Sequence, residues 1–253
     1  MKKRTVIFTS VLLLLALFLA GCGEKVVGKK FETGNFENEI QNDKGFVLKE
    51  KKLDYGEENI LLISAESTLD EAKTLNMIVT YKDENGKQIQ RDTKSIEGFA
   101  PGDSRYILLQ PGFTFADHSY VIITEDFEGE VTKTEQPLEF GDITFVKTMR
   151  YNSDLAWEKD DLTEFPTIRG KIDITNPTDT TYSLKATIFV FDKNGELYNI
   201  STASGTVPPR AWGGTVDFTV YQQLDGDFVW PEELNEDASY FIVYEAKDRA
   251  EVG

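Results

Sequence analysis

The sequence predicts an all-β chain of two similar sandwich domains that follow an export segment and a tether. Apolar residues recur with period two rather than the helical period, polar or Gly/Pro turns separate the runs, and the same punctuation occurs twice in the same order. These observations fix the fold class before any single residue is considered.

The first element is the export segment, residues 1–21. A basic start, Lys2-Lys3-Arg4, precedes an apolar run from Val11 to Ala20, and small residues stand just before Cys22. The run is too short and too early for a good spanning helix. Leu19-Ala20-Gly21-Cys22 resembles the lipobox of bacterial lipoproteins. The resemblance implies cleavage before Cys22, acylation of its sulfur, and an extracytoplasmic protein anchored to the cell membrane, or to the outer membrane in a host with two. Two acyl chains give a stable anchor where one gives only marginal binding. An ordinary secretory peptide with an incidental cysteine is the alternative. Cys22 is the one cysteine, so the exported part relies on its core rather than on disulfides.

Residues 22–43 are mainly Gly, Lys, Glu and Asn with little periodicity, which predicts a flexible tether with a reach of roughly 25 Å. Its Lys25, Lys29 and Lys30 could lie against anionic headgroups or simply be solvated. Beyond it, 44–138 and 139–253 are predicted as the two domains. Val216, Phe218 and Val220 alternate with Thr215, Asp217 and Thr219, and Ile172 and Ile174 alternate with Lys171, Asp173 and Thr175. Ile60 to Ile63, Met77 to Tyr81, Tyr106 to Leu109, Tyr120 to Ile123 and Tyr240 to Tyr244 are further short runs. Thr68 to Leu75, richer in Ala, Leu, Glu and Lys, is compatible with a helical turn or two.

The duplication is carried by three landmarks. Asp83-Glu84-Asn85-Gly86 is matched by Asp192-Lys193-Asn194-Gly195, and each Asn-Gly predicts a tight hairpin with both residues at positive φ. Pro101-Gly102 is matched by Pro208-Pro209, and Asp117-His118-Ser119-Tyr120 by Asp237-Ala238-Ser239-Tyr240. Their separations are 109 (195 minus 86), 107 (208 minus 101) and 120 (240 minus 120), which places an insertion of the second copy within Gln222 to Glu236.

The order strand, Asn-Gly hairpin, Pro turn, strand resembles the small immunoglobulin-like domains common in lipoproteins of Gram-positive bacteria. It is clearest from Gly170 to Tyr221, through Ile172-Asp173-Ile174-Thr175-Asn176 and Ala186 to Gly195; the first copy has Ser64-Ala65-Glu66-Ser67 in place of the Thr-Asn turn. The resemblance implies two tandem immunoglobulin-like β-sandwich domains and carries no enzymatic site.

Composition narrows the function. With 27 basic and 44 acidic side chains the formal charge is −17, and removing Lys2, Lys3 and Arg4 takes it to −20. Phosphate binding needs a basic patch, so nucleic acid is excluded as a partner. Aromatic residues at 12% and apolar residues at 40% mark a folded chain rather than an acidic disordered tail. The single histidine, His118, reads as a solvated turn residue, and without a further thiol or imidazole the usual nucleophile sets and metal clusters have no members. Carboxylate pairs are available in any chain this acidic. Asp83 to Gly86 has the first ligand types of a calcium loop but ends in a hairpin signal. Two acidic aromatic loops remain as candidate binding sites. Tyr151 to Phe165 holds Trp157, Asp160 and Asp161, and Leu224 to Asp237 holds Asp225, Asp227, Phe228 and Trp230. Tryptophans there either meet a partner or plug the sandwich ends.

The sequence therefore predicts a non-catalytic interaction or adaptor module of the cell envelope, without cofactor or metal. Its expected partners are the membrane, through acyl chains on Cys22, and an envelope protein or wall polysaccharide. The alternative is a carbohydrate- or calcium-binding surface module using the Trp157 and Trp230 loops.

Overall fold

Period-two alternation builds strands almost throughout the computed structural model, which describes residues 25–30, 36, 38–129, 131, 136–151, 164–210, 214–222 and 228–249. Among the described residues no helix is long and apolar enough to cross a membrane. The chain is all-β, in several mainly antiparallel sheets that form two compact units. The earliest strands are β1 (Lys25–Val27) and β2 (Lys29–Lys30).

One unit contains β3 (Asn38–Glu39), β4 (Phe46–Tyr55), β5 (Glu58–Ser67), β6 (Lys73–Lys82), β7 (Gln88–Phe99), β8 (Ser104–Leu109) and β9 (Asp117–Asp126). They form one sheet of order β3-β4-β5-β8 and another of order β7-β6-β9. Phe46, Leu48, Leu61, Ile63 and Ala65 from the first sheet meet Leu75, Met77, Val79, Tyr81 and Ile122 from the second in a shared core. Full burial of each aliphatic chain contributes about 1.5–3 kcal/mol. Thr68 to Leu75 is not helical: β5 runs to Ser67 and β6 begins at Lys73. Thr74 and Leu75 are buried there, and sheet pairing overrides a weak local helix propensity.

The other unit contains β1, β2, β10 (Glu139–Tyr151), β11 (Glu164–Thr175), β12 (Tyr182–Phe191), β13 (Leu197–Val207) from Asn199 onward, β14 (Gly214–Gln222) and β15 (Ser239–Asp248). Its sheets have the orders β1-β10-β11-β14 and β13-β12-β15-β2. Ile143, Phe145, Ile172, Val216 and Phe218 face Leu184, Ile188, Val190 and Tyr240 across the interior, all buried. Tyr240 Oη donates a hydrogen bond to the Gly141 carbonyl, joining the two sheets.

Strand for strand the two orders coincide. β4-β5-β8 matches β10-β11-β14, and β7-β6-β9 matches β13-β12-β15. Residues 25–30, expected in the tether, lie instead in the second unit. β1 pairs antiparallel with β10, and β2 pairs parallel with β15. Gly28 permits the crossing, because a Cβ there would stand 2.5 Å from the Ala238 carbonyl oxygen and 2.9 Å from Ile143 Cγ2.

The Asn-Gly hairpins differ from the expected turn. Only the glycines, Gly86 (φ 76°) and Gly195 (φ 80°), take positive φ, and Asn85 and Asn194 do not. Asp83 accepts the amides of Asn85 and Lys87, and Asp192 that of Asn194, so the acid at the turn start organises a three-residue loop ending in a left-handed glycine. The carboxylate of Asp83 is thus a turn acceptor rather than the start of a calcium loop.

Candidate functional site

Register places the strand ends that flank the two candidate loops at one end of one sheet. Tyr151 pairs with Glu164 at the mouth of the β10–β11 loop, and Gln222, the last residue of β14, pairs with Thr167 nearby on β11. Trp157, Asp160, Asp161, Asp225 and Asp227 lie outside the described residues, as does Cys22. Phe228 and Trp230 are described, with ring centroids 6.2 Å apart at 81° in an edge-to-face pair. Lys147 Nζ lies 4.1 Å above the Phe228 ring, a cation–π contact. The Trp230 indole N–H donates to the Leu234 carbonyl at 2.7 Å, and Leu234 is fully buried. Both rings are half-buried, and Val229 between them is 70% exposed. Phe228 and Trp230 are therefore partly anchors of their own loop, with one flank left to solvent.

Beside this end, a polar cavity of about 430 Å³ is lined by Thr148, Thr167, Arg169, Thr202, Asp217 and Thr219, among others. The Thr167 hydroxyl is buried and has no hydrogen-bond partner. Hydroxyls, a guanidinium and a carboxylate around one depression can donate to and accept from a small polyhydroxylated molecule. A separate cleft of about 520 Å³ lies between β13 and β14 over Ile174, Leu184, Val207 and Val216.

His118 is not a solvated turn residue. It stands on β9 with its side chain 13% exposed, and its Nε2 is 2.8 Å from Glu50 Oε2. Tyr120, two residues on and on the same face, donates its hydroxyl to the same Glu50 oxygen. Glu50 reaches in from β4, so the three side chains tie the opposing sheets together through the interior. Burial pushes the Glu50 carboxyl up, but the hydrogen bonds from His118 and Tyr120 outweigh it and hold the group below the ordinary carboxylate range. Burial, and then the Glu50 carboxylate, push the Tyr120 phenol upward.

Around the trio pack Phe115, edge-on to His118 at 5.4 Å, and Lys52, whose Nζ donates to the Phe115 carbonyl at 2.7 Å. Tyr81 pairs with His118 across β6 and β9. Its hydroxyl is buried without a partner, and burial with the charge of Asp92 pushes its pKa up to about 12. The geometry completes the hydrogen bonding of a buried carboxylate, which is what a structural staple requires.

The signal for this trio was present in β4. Phe46, Leu48 and Glu50 share one parity, so Glu50 occupies a position whose predecessors face the core. Among the described residues, no group of three His, Cys, Asp or Glu side chains gathers as a metal site. Compared with known proteins, the chain matches no family model and no curated protein.

Proposed function

We propose that this chain is a membrane-anchored extracytoplasmic lipoprotein whose two immunoglobulin-like domains act as a non-catalytic interaction or adaptor module of the cell envelope. The observation that carries the reading is the repeated strand order of the two units, and the resemblance of Leu19-Ala20-Gly21-Cys22 to a lipobox supports it. Repetition of one sandwich plan multiplies display surface and loop ends, which suits a binding role. His118 supports the same reading, because its imidazole and Glu50 are engaged with each other inside a core.

The test is cross-linking on intact source cells, recovery of the full-length protein and mass spectrometry, with Cys22→Ser as the unanchored control. A partner recovered from the anchored form and lost from the control is the expected result. Turnover of an envelope substrate by the purified protein, or no specific partner, overturns the reading.

A second reading, a carbohydrate- or calcium-binding module using the Trp157 and Trp230 loops, draws support from the shared sheet end of the strands that flank those loops and from the polar cavity beside Thr167. It predicts that wall polysaccharide or calcium shifts tryptophan fluorescence and raises the melting temperature. Neither changing at millimolar ligand removes it.

A further inference from the structure

We infer that the outer edge of β9, which no strand covers among the described residues, is a docking site for an extended, lysine-bearing apolar segment of a partner polypeptide, which joins the sheet as a parallel strand. The inference deepens the adaptor reading and rests on it for the partner's existence. It starts from an asymmetry between two otherwise matching sheets. β15 has β12 on one side and β2 on the other, whereas its counterpart β9 has β6 on one side and, among the described residues, no strand on the other.

The filled edge shows what such a site accepts. Ser239 and Tyr240 pair in parallel with Lys29 and Lys30, the Lys29 amide donates to the Ala238 carbonyl at 2.9 Å, and Lys29 Nζ lies 3.2 Å from Asp237 Oδ1. Asp117-His118-Ser119-Tyr120 repeats Asp237-Ala238-Ser239-Tyr240 at the corresponding place.

The middle of this edge also lacks the usual protection. Native edge strands carry charges, prolines or bulges that discourage pairing. From Ser119 to Thr124 β9 has none of these, and its ladder with β6 is regular. On the outward face Val121 is 51% and Ile123 40% exposed, with Ile78 of β6 directly opposite Val121. An added strand gains backbone hydrogen bonds and sets alternate apolar side chains beside these two. At the end of β9, Lys73 Nζ holds Asp126 at 2.6 Å, while Glu125 and, just beyond the strand, Glu128 are exposed carboxylates that favour a basic rather than an acidic segment. The chain's own Lys25-Val26-Val27-Gly28-Lys29-Lys30 has this chemistry and serves as a probe.

The experiment is hydrogen–deuterium exchange of the full chain carrying Cys22→Ser, with and without that capped hexapeptide at millimolar excess. Expected is at least threefold slower exchange within Ser119 to Thr124, abolished by Val121→Lys with Ile123→Lys at unchanged melting temperature. Slowing elsewhere alone, or none, overturns the assignment. Protection that grows with protein concentration in the absence of peptide makes a second copy the occupant, and overturns it too. The adaptor reading fails separately: a cellular partner recovered while β9 ignores the peptide leaves that reading standing, and peptide binding with no cellular partner removes that reading and leaves β9 only as a strand-accepting edge.

Discussion

A carboxylate facing the interior between two sheets is tolerated when its hydrogen bonds are complete, and Glu50 has His118 and Tyr120 for this. Glu50→Ala leaves two buried polar groups without their acceptor and is expected to cost about 2–4 kcal/mol in urea unfolding. Glu50→Gln, which keeps an acceptor, should cost less. The pH dependence has two limbs. Because the Glu50 pKa is lowered on folding, its contribution is present above the ordinary value of 4.5 and is lost as pH falls through the folded value. Because Tyr81 is raised to about 12 from 10.0, its contribution is intact below pH 10 and is lost as pH rises from there towards 12. Melting temperature should therefore fall over that alkaline interval, and Tyr81→Phe should lessen the fall, with the remainder coming from Tyr120, Tyr240 and the other phenols that burial raises. At pH 7 the same substitution should be neutral or mildly stabilising, since the hydroxyl it removes has no partner. Gly170 gives another test at this scale. A Cβ there would overlap the Phe218 ring, so Gly170→Ala should destabilise by about 1–3 kcal/mol in the same assay.

At the scale of elements, the crossing at Gly28 holds β1 and β2 on two different sheets. Gly28→Val should displace both, and the measurable result is faster amide exchange at Lys29 and along Lys25–Val27, with β4–β9 unaffected. The strands also explain what was legible beforehand. Val216, Phe218 and Val220 are all buried and show the cleanest alternation, because their strand has one wet face. β7 carries Gln, Arg, Asp, Thr and Lys through its middle and is largely exposed, so neither face imprints a pattern. β1 and β2 are too short for any periodicity to register, and their lysines resemble those of a solvated linker. In β4 the pattern stops at Glu50, where a polar network replaces an apolar side chain. Of the candidate site, Phe228 and Trp230 were legible as aromatic residues in an inserted loop, but the hydrogen bond from Trp230 to Leu234 depends on the folded loop and leaves no local signature.

For the whole molecule, 44 acidic against 27 basic side chains set a sequence pI near 4.5. Self-repulsion keeps such a surface dispersed at neutral pH and vanishes as the charge approaches zero. Turbidity of the Cys22→Ser protein should rise to a maximum near pH 4.5 and clear again at neutral pH. The same charge makes salt a weak lever on the sandwich interiors and a strong one on long-range encounter with a basic partner.

The entry of residues 25–30 into the second unit has a mechanical consequence if Cys22 carries the proposed lipid. Three peptide steps separate Cys22 from Lys25, a distance of at most about 10 Å. Tension arriving from the bilayer would then reach a folded sheet almost at once, with little slack to absorb it. Because β1 and β2 are paired in opposite sheets, that pull is shared by two ladders on either side of Gly28. The lipid would hold the protein by a strand seam of its own fold rather than by a loose leash.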